Sequence, residues 1–211
     1  MVIHHRTGML PEPVIERLCI LYRTVGDLID RGMNTASSAE LGNTAMIPAY
    51  NVRKDLSHLG SSCGTGAGYD LRELKNLLRD SLGFSGVRNV CVVGLGRIGT
   101  AVFGNNEYLE EGYRITAGFD SNVNKLELMK TPVPLYPAHE ITDRVRELHI
   151  DFAVIAVPMD AAQRTADRLI AGGVTGIVNF APVTLSGVPD NVIVRDVSVL
   201  KELRILTAMT G

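Results

Sequence analysis

The chain has 211 residues, 45% hydrophobic and 21% charged, with 21 Lys and Arg against 23 Asp and Glu and a formal net charge of -2. That composition excludes a disordered chain and leaves room for one large domain or two small ones. No apolar run reaches the roughly 18–20 residues that span a bilayer, so no membrane partner is expected. The start, Met1-Val2-Ile3-His4-His5-Arg6, lacks the basic-then-apolar order of a secretory leader. Three scattered cysteines, Cys19, Cys63 and Cys91, imply free thiols in a reducing cytoplasm. Near-zero net charge weighs mildly against nucleic acid as a partner until the charges are located. Residues 1–80 hold nine Lys and Arg against nine Asp and Glu. A DNA-binding surface there depends on cations gathered on one helix face.

Helical spacing governs the chain up to about residue 84. Ile15, Leu18, Cys19, Tyr22, Val25 and Ile29 recur at three-and-four spacing, predicting a first helix with that apolar face and a stop at Gly32. Ser37 or Ser38 caps a short second helix over 39–45, with Leu41 inward. A third helix starts at Pro48 and ends before Gly60. Three helices joined by short turns make a helix-turn-helix layout. At about 100° per residue, Val52, Leu56 and Leu59 share one arc of the third helix. Arg53, Lys54, Ser57 and His58 lie opposite, with Tyr50 and Asn51 nearby. Cations and small hydrogen-bonding groups of this kind suit phosphates and base edges in a major groove; a solvated surface face has the same pattern. The glycine-rich stretch 61–68 reads as a wing or as a plain flexible loop. A fourth helix over 71–82 leads to the joint Leu82-Gly83-Phe84-Ser85-Gly86.

Beyond the joint, apolar strands alternate with helices. Strands are predicted at 90–93, 115–119, 152–157, 177–180 and 192–194, with helices at 98–109, 141–148 and 161–171. This alternation implies an α/β fold with a Rossmann-like parallel sheet covered on both faces. Gly94-Leu95-Gly96-Arg97-Ile98-Gly99 follows the first strand and opens a helix, and Asp120 ends the second strand 21 residues after Gly99. Gly94 serves the tight turn, Gly96 the approach of a pyrophosphate, and Gly99 helix–strand packing. The helix N-terminus at Arg97 and Ile98 supplies N–H donors to the pyrophosphate. Asp120 accepts from the ribose hydroxyls and, with no Arg directly beside it, repels a 2′-phosphate, which favours NAD(H) over NADP(H).

An NAD enzyme needs a proton donor or acceptor at the nicotinamide. The strand ends that border the ring, Ala156-Val157-Pro158-Met159 and Asn179-Phe180-Ala181-Pro182, are mostly apolar. Asp160 reads as a helix cap or first-turn carboxylate, and His139 and His149 as surface residues. Binding without catalysis is the expectation. No metal site is expected: His4 and His5 sit in a tail, Cys91 packs in a strand, and nothing near Cys63 lowers its pKa.

Six segments, in order, carry a resemblance. They are Ser37-Ser38-Ala39-Glu40-Leu41, Val52-Arg53-Lys54-Asp55-Leu56-Ser57-His58-Leu59-Gly60, Gly68-Tyr69-Asp70, the glycine motif, Val157-Pro158-Met159-Asp160-Ala161-Ala162-Gln163 and Val178-Asn179-Phe180-Ala181-Pro182. From about Pro11 to Leu203 the chain resembles the Rex family of bacterial redox-sensing transcriptional repressors. The resemblance implies a winged-helix DNA-binding domain over 1–84, a Rossmann NAD(H)-binding domain over 85–196, and a C-terminal helix over 197–211 exchanged in a homodimer. In that family the NAD+-bound or empty form binds a palindromic operator duplex, and NADH closes the dimer and releases the DNA. On this resemblance Tyr50, Asn51, Arg53, Lys54, Ser57 and His58 face DNA. Gly94, Gly96, Arg97, Ile98, Gly99, Asp120, Val157, Pro158, Phe180 and Ala181 hold NADH or NAD+.

Three positions depart from the family pattern. The wing tip, usually basic, reads Cys63-Gly64-Thr65-Gly66. The exchanged helix usually starts with Asp and an aromatic residue, and here has Ser198 and Val199. A Tyr after the glycine motif is Asn106. In the family that Asp and Tyr join an Arg equivalent to Arg17 in a network that differs between the open and closed states. Two other functions compete with repression by NADH-released DNA binding. One is an NAD-dependent oxidoreductase, and the other a Rex paralogue with altered or lost NADH-dependent release.

Overall fold

A computed structural model of the chain describes residues 10–60, 64–65, 68–104 and 112–211. It divides into two compact units, Met1–Gly86 and Val87–Gly211. His4, His5, Cys63 and Asn106 lie outside the described residues.

The first unit runs α1 Glu12–Asp30, β1 Thr35–Ala36, α2 Ser38–Ala45, α3 Ala49–His58, β2 Gly64–Thr65, β3 Gly68–Asp70 and α4 Leu71–Leu82. Each helix start has a local cause. Ser37 caps α2 by accepting from the Glu40 N–H at 3.2 Å, while Glu40 accepts from the Ser37 N–H at 2.7 Å, a reciprocal capping box. The Ser37 N–H and the Ser37 hydroxyl, each donating to the Glu40 carboxylate at 2.7 Å, hold that carboxyl below the usual carboxylate range. Asp70 accepts from the N–H groups of Arg72 and Glu73, both at 3.0 Å, and so starts α4. Pro48 stands just before α3 as its N-cap and is not its first helical residue.

The core of this unit joins Val14, Leu18, Leu21, Val25 and Leu28 of α1 to Leu41, Val52 and Leu56, and to Leu71, Leu74 and Leu78 of α4. The α1 face is therefore rotated from the expected one: Leu18 and Val25 are shared, but Cys19 is exposed and Ile15 only half-buried. Two neighbouring stripes of α1 both satisfy helical spacing, and packing against α2, α3 and α4 selects between them. The strands form an antiparallel sheet in the order β1-β3-β2, so part of the glycine-rich stretch is a strand pair. Strand β1 carries no pattern long enough to be foreseen.

The second unit runs β4 Arg88–Val93, α5 Arg97–Gly104, β5 Tyr113–Asp120, α6 Val123–Leu128, β6 Leu135–Pro137, α7 Ile141–Glu147, β7 Phe152–Ile155, α8 Met159–Gly172, β8 Gly176–Asn179, β9 Ile193–Asp196 and α9 Val199–Thr210. Every pairing is parallel, in the order β6-β5-β4-β7-β8-β9. The chain moves outward from β4 in one direction and then from β7 in the other. This is the doubly wound arrangement whose switch point collects ligands at the carboxyl ends of the strands.

Alternation along β4 divides the core in two. Cys91 and Val93 face α7 and α8 through Ile141, Val145, Ala162, Ala166 and Leu169. Val90 and Val92 face Leu95, Phe103 and Ile115. Burial pushes the Cys91 thiol up to about 12, which leaves it a packing residue.

Several boundaries differ from the sequence expectation. Strand β7 stops at Ile155, so Ala156 and Val157 belong to the following turn, and the last strand is Ile193–Asp196. Strand β6 and helix α6 were not foreseen because three to six residues cannot display a period. The helix after the glycine motif is described through Gly104, and its expected continuation to 109 lies outside the described residues.

Met46, in the turn between α2 and α3, has φ 56° and is 89% exposed. A side chain in the left-handed region costs about 1–2 kcal/mol, part of which glycine returns as unfolded-state entropy. Met46→Gly is expected to raise stability by about 1 kcal/mol. Urea denaturation followed by circular dichroism tests this; an unchanged or lower midpoint contradicts the strain.

Candidate functional site

The turn after β4 is held from three sides. The Gly94 N–H donates to Phe119 O at 2.8 Å, and the Ala156 N–H donates to Val93 O at 2.8 Å, which draws the ends of β5 and β7 around it. Gly94 has φ +89°, and a Cβ there would lie 2.5 Å from Ala156 O. A Cβ on Gly99 would lie 1.8 Å from Gly94 O, so the first turn of α5 closes on the loop only without a side chain. Gly96 is different. A Cβ there would meet nothing within 4 Å, and its φ is not in the left-handed region. Gly96 borders open space in front of the α5 N-terminus, where a phosphate group could approach the backbone.

Asp120 closes the same turn from β5. One carboxylate oxygen accepts from the Leu95 N–H at 2.9 Å and the other from the Asn122 N–H at 2.9 Å. Lys125 on α6 donates to Asp120 at 3.2 Å and also to the Leu95 carbonyl. Burial pushes the Asp120 carboxyl up, but the two backbone N–H groups and Lys125 outweigh it and hold it below its ordinary value of 3.8. Three donors leave roughly one of the carboxylate's four acceptor positions open for a ribose hydroxyl. No Arg stands directly beside Asp120 in the sequence, but the fold brings the ammonium of Lys125 to it. No spacing rule marked that lysine.

A cleft of about 380 Å³ opens over these strand ends. Its lining includes Gly94, Gly96, Asp120, Val157 and Pro158 of the expected residues. Lys125, Arg164 and Arg168 line it as well and were not expected. Gly99 is buried beneath the turn, whereas Arg97 and Ile98 are exposed in the first turn of α5. Phe180 and Ala181 follow β8 and do not line this cleft. Their loop is set by Asn179, which is fully buried. The Asn179 amide nitrogen donates to Val183 O at 2.9 Å and to Asp196 at 2.8 Å, and its oxygen accepts from the Ala181 N–H at 3.0 Å. Asp160 lies in the first turn of α8, whose N-cap is Pro158; His139 and His149 are exposed. Among the described residues no three His, Cys, Asp or Glu side chains gather as a metal-holding set.

In the first unit, Arg53, Lys54, Ser57 and His58 are exposed on α3, Tyr50 is 64% exposed and Asn51 is half-buried. Arg53 donates to the Ser38 hydroxyl at 2.9 Å, and the Ser57 hydroxyl donates to Lys54 O at 2.6 Å. Leu59 is half-buried, and the inner side of α3 holds Val52, Leu56 and a carboxylate, Asp55. Arg17 of α1 grips both Asp55 oxygens, Nε at 2.6 Å and Nη2 at 2.8 Å. On the family resemblance Arg17 pairs with two residues that this chain replaces; in the structure its partner is Asp55.

Known proteins match both units. Residues 9–57 match the family described as "Putative DNA-binding protein N-terminus" and residues 87–183 the "CoA binding domain" family. The redox-sensing transcriptional repressor Rex of Carboxydothermus hydrogenoformans is 36% identical, covering 94% of this chain and 95% of that protein. The chain belongs to the Rex family of redox-sensing transcriptional repressors. The Rex repressor of Limosilactobacillus reuteri is 33% identical over 93% of this chain and 92% of its own. Among solved structures, the Rex-family repressor RSP matches at 30% identity with a TM-score of 0.84, covering 96% of this chain and 95% of its own. RSP in complex with NAD+ and operator DNA matches at 30% identity and 0.88, covering 96% and 93%. Against the Rex pattern, Ser198 has a local role: its hydroxyl accepts from the Lys201 N–H at 3.2 Å and caps α9.

The glycines of the turn separate by experiment. Gly99→Ala forces backbone apart and is expected to cost more than 2 kcal/mol of stability, in the range of overpacked sites. Gly96→Ala is expected to stay within about 0.5 kcal/mol of the parent. Thermal unfolding of the two variants checks this, and equal losses would contradict the geometry.

Proposed function

We propose that this protein is a cytoplasmic, homodimeric redox sensor that binds palindromic operator DNA through α3 and leaves it when NADH occupies the cleft of the second unit. The observation that carries the reading is the extent of the likeness to RSP. It covers 96% of the chain, and RSP has been solved with NADH and with NAD+ plus operator DNA.

The residues give this reading a physical basis. On α3, Arg53, Lys54, Ser57 and His58, with Tyr50 and Asn51, would meet phosphates and base edges. In the cleft, the open approach at Gly96 and the N–H groups of Arg97 and Ile98 would receive the pyrophosphate. Gly94 and Gly99 would shape the turn and Asp120 would take a ribose hydroxyl. Lys125 would keep Asp120 ionised and oriented. Val157 and Pro158 would form the cleft wall at the nicotinamide, with Phe180 and Ala181 bordering the ring beyond the cleft. Oxidised nicotinamide carries a positive charge, and an apolar wall without a counter-charge disfavours it, whereas the neutral reduced ring enters without that cost. NADH works as a switch because it binds the DNA-free state better; equal affinity for both states would shift nothing.

A catalytic role has less support, because the wall segments 156–159 and 179–182 contain Asp160's neighbours but no His, Lys, Tyr or carboxylate of their own. Gel shifts with a palindromic operator, with and without NADH, test the main reading. Retardation relieved by NADH is expected; retardation unaffected by NADH would instead support a paralogue that has lost release. Arg53→Ala should weaken operator binding by about 1–3 kcal/mol.

For the dimer, α9 is the supporting feature. It has no buried residue, and Val199, Leu200, Leu203, Leu206 and Met209 are all more than half exposed. An apolar groove over Phe152, Val154, Val178 and Ile193 is also open in the same unit among the described residues. Exposed apolar surface of this extent marks faces that are covered in an assembly. Leu203→Glu with Leu206→Glu should shift the protein to monomer in analytical ultracentrifugation, and a retained dimer would remove α9 from the interface.

A further inference from the structure

The ion pair of the first unit joins a buried carboxylate, Asp55, to an Arg17 side chain that stays 28% exposed. Asp55 is 1% exposed, and it is the one charged residue among the buried described residues. It lies on the inner flank of α3 beside Val52 and Leu56, which are 0% and 1% exposed. It cannot touch DNA from there, and a carboxylate would repel phosphate. Placing a charge in a core is costly, and a well-packed apolar pair in the same position is often as stable or more so.

What the pair adds is direction. Val52 and Leu56 pack by contacts that are non-directional and tolerate a small turn of the helix. The Arg17 guanidinium does not tolerate it. Two parallel bonds, at 2.6 and 2.8 Å, join a planar fork on α1 to both oxygens of Asp55, 38 residues away. The outer side chains of α3 sit at roughly 5–6 Å from its axis, so a 15° rotation moves their tips by about 1.5 Å. Hydrogen bonds to base edges are lost at displacements of about 0.5 Å or more, whereas attraction to phosphates is long-ranged and survives. Rotation of α3 therefore decides base reading and leaves non-specific binding nearly untouched.

We propose that Asp55, gripped by Arg17, is a positioning residue for sequence recognition: it sets the rotation of α3 so that Arg53, Lys54, Ser57 and His58 reach base edges together. The proposal rests on the DNA-binding reading above and adds to it a residue that never contacts DNA. The pair is a specificity device, and its removal separates recognition from affinity.

The test uses the full chain and two duplexes. One is the sequence that the parent protein enriches from a randomised duplex pool, and the other is an unselected random duplex of equal length. Affinities for both are measured at one salt concentration for the parent, for Arg17→Lys, and for the apolar double variant Arg17→Met with Asp55→Leu. The double variant is expected to unfold at or above the parent's temperature and to bind the random duplex as the parent does. It should lose about tenfold or more in affinity for the enriched duplex. Arg17→Lys keeps the charge but not the fork, and should lose about three- to tenfold in the ratio of the two affinities. A folded double variant with the parent's ratio overturns the proposal. Should the double variant fail to fold, an unchanged ratio in Arg17→Lys overturns it equally. A parent that enriches no duplex removes the DNA-binding reading itself, which is seen before any variant is made.

Discussion

The nucleotide-binding turn depends on one carboxylate. Asp120 joins the end of β5 to the loop after β4 through the Leu95 N–H and to the start of α6 through the Asn122 N–H. With Lys125 bridging Asp120 and the Leu95 carbonyl, the backbone around Gly94 to Gly99 is fixed before any ligand arrives. That preorganisation lets a ligand be bound by backbone N–H groups without the cost of ordering a loop. It also explains the unequal roles of the glycines: Gly94 and Gly99 make the turn possible, and Gly96 leaves its outer side open.

The two units solve a similar problem in different ways. In the sheet unit, side chains that position the site are anchored to backbone: Asp120 to N–H groups, Asn179 to Val183 and the Ala181 N–H. In the helical unit the anchor is a side chain on another helix, because helix interiors have no free backbone groups to offer. Arg17 supplies the donors that Asp55 needs, and Arg53 is held to Ser38 at the start of α2. The first kind of anchor fixes the backbone of the cleft, and the second fixes side chains on α3.

Much of this was legible in residue order. The span of α4, the five strands that alternate with helices and the glycine motif all follow from periods and turn residues, which are local properties. The α1 face is not decided by spacing because two adjacent stripes share it, and only packing against α2, α3 and α4 distinguishes Leu21 and Leu28 from Cys19 and Ile29. Strands β1 and β6 escaped because they are too short to carry a pattern and exist through pairing with β3 and β5. Net charge misled in a related way: balanced charge across 1–80 conceals the gathering of Arg53 and Lys54 on one side of α3.

Length, composition and a net charge of -2 determined a folded chain with room for two small domains, and the motifs determined what kind of site each could carry. The tertiary structure alone decided which charges act together. Asp55 reads as part of a polar helix until Arg17 meets it from another helix, and Lys125 reads as a surface lysine until α6 turns it toward Asp120. The physical reason is range. Hydrophobic period and turn chemistry act between neighbours in the chain, whereas an ion pair depends on separation in space, which only the packed fold defines.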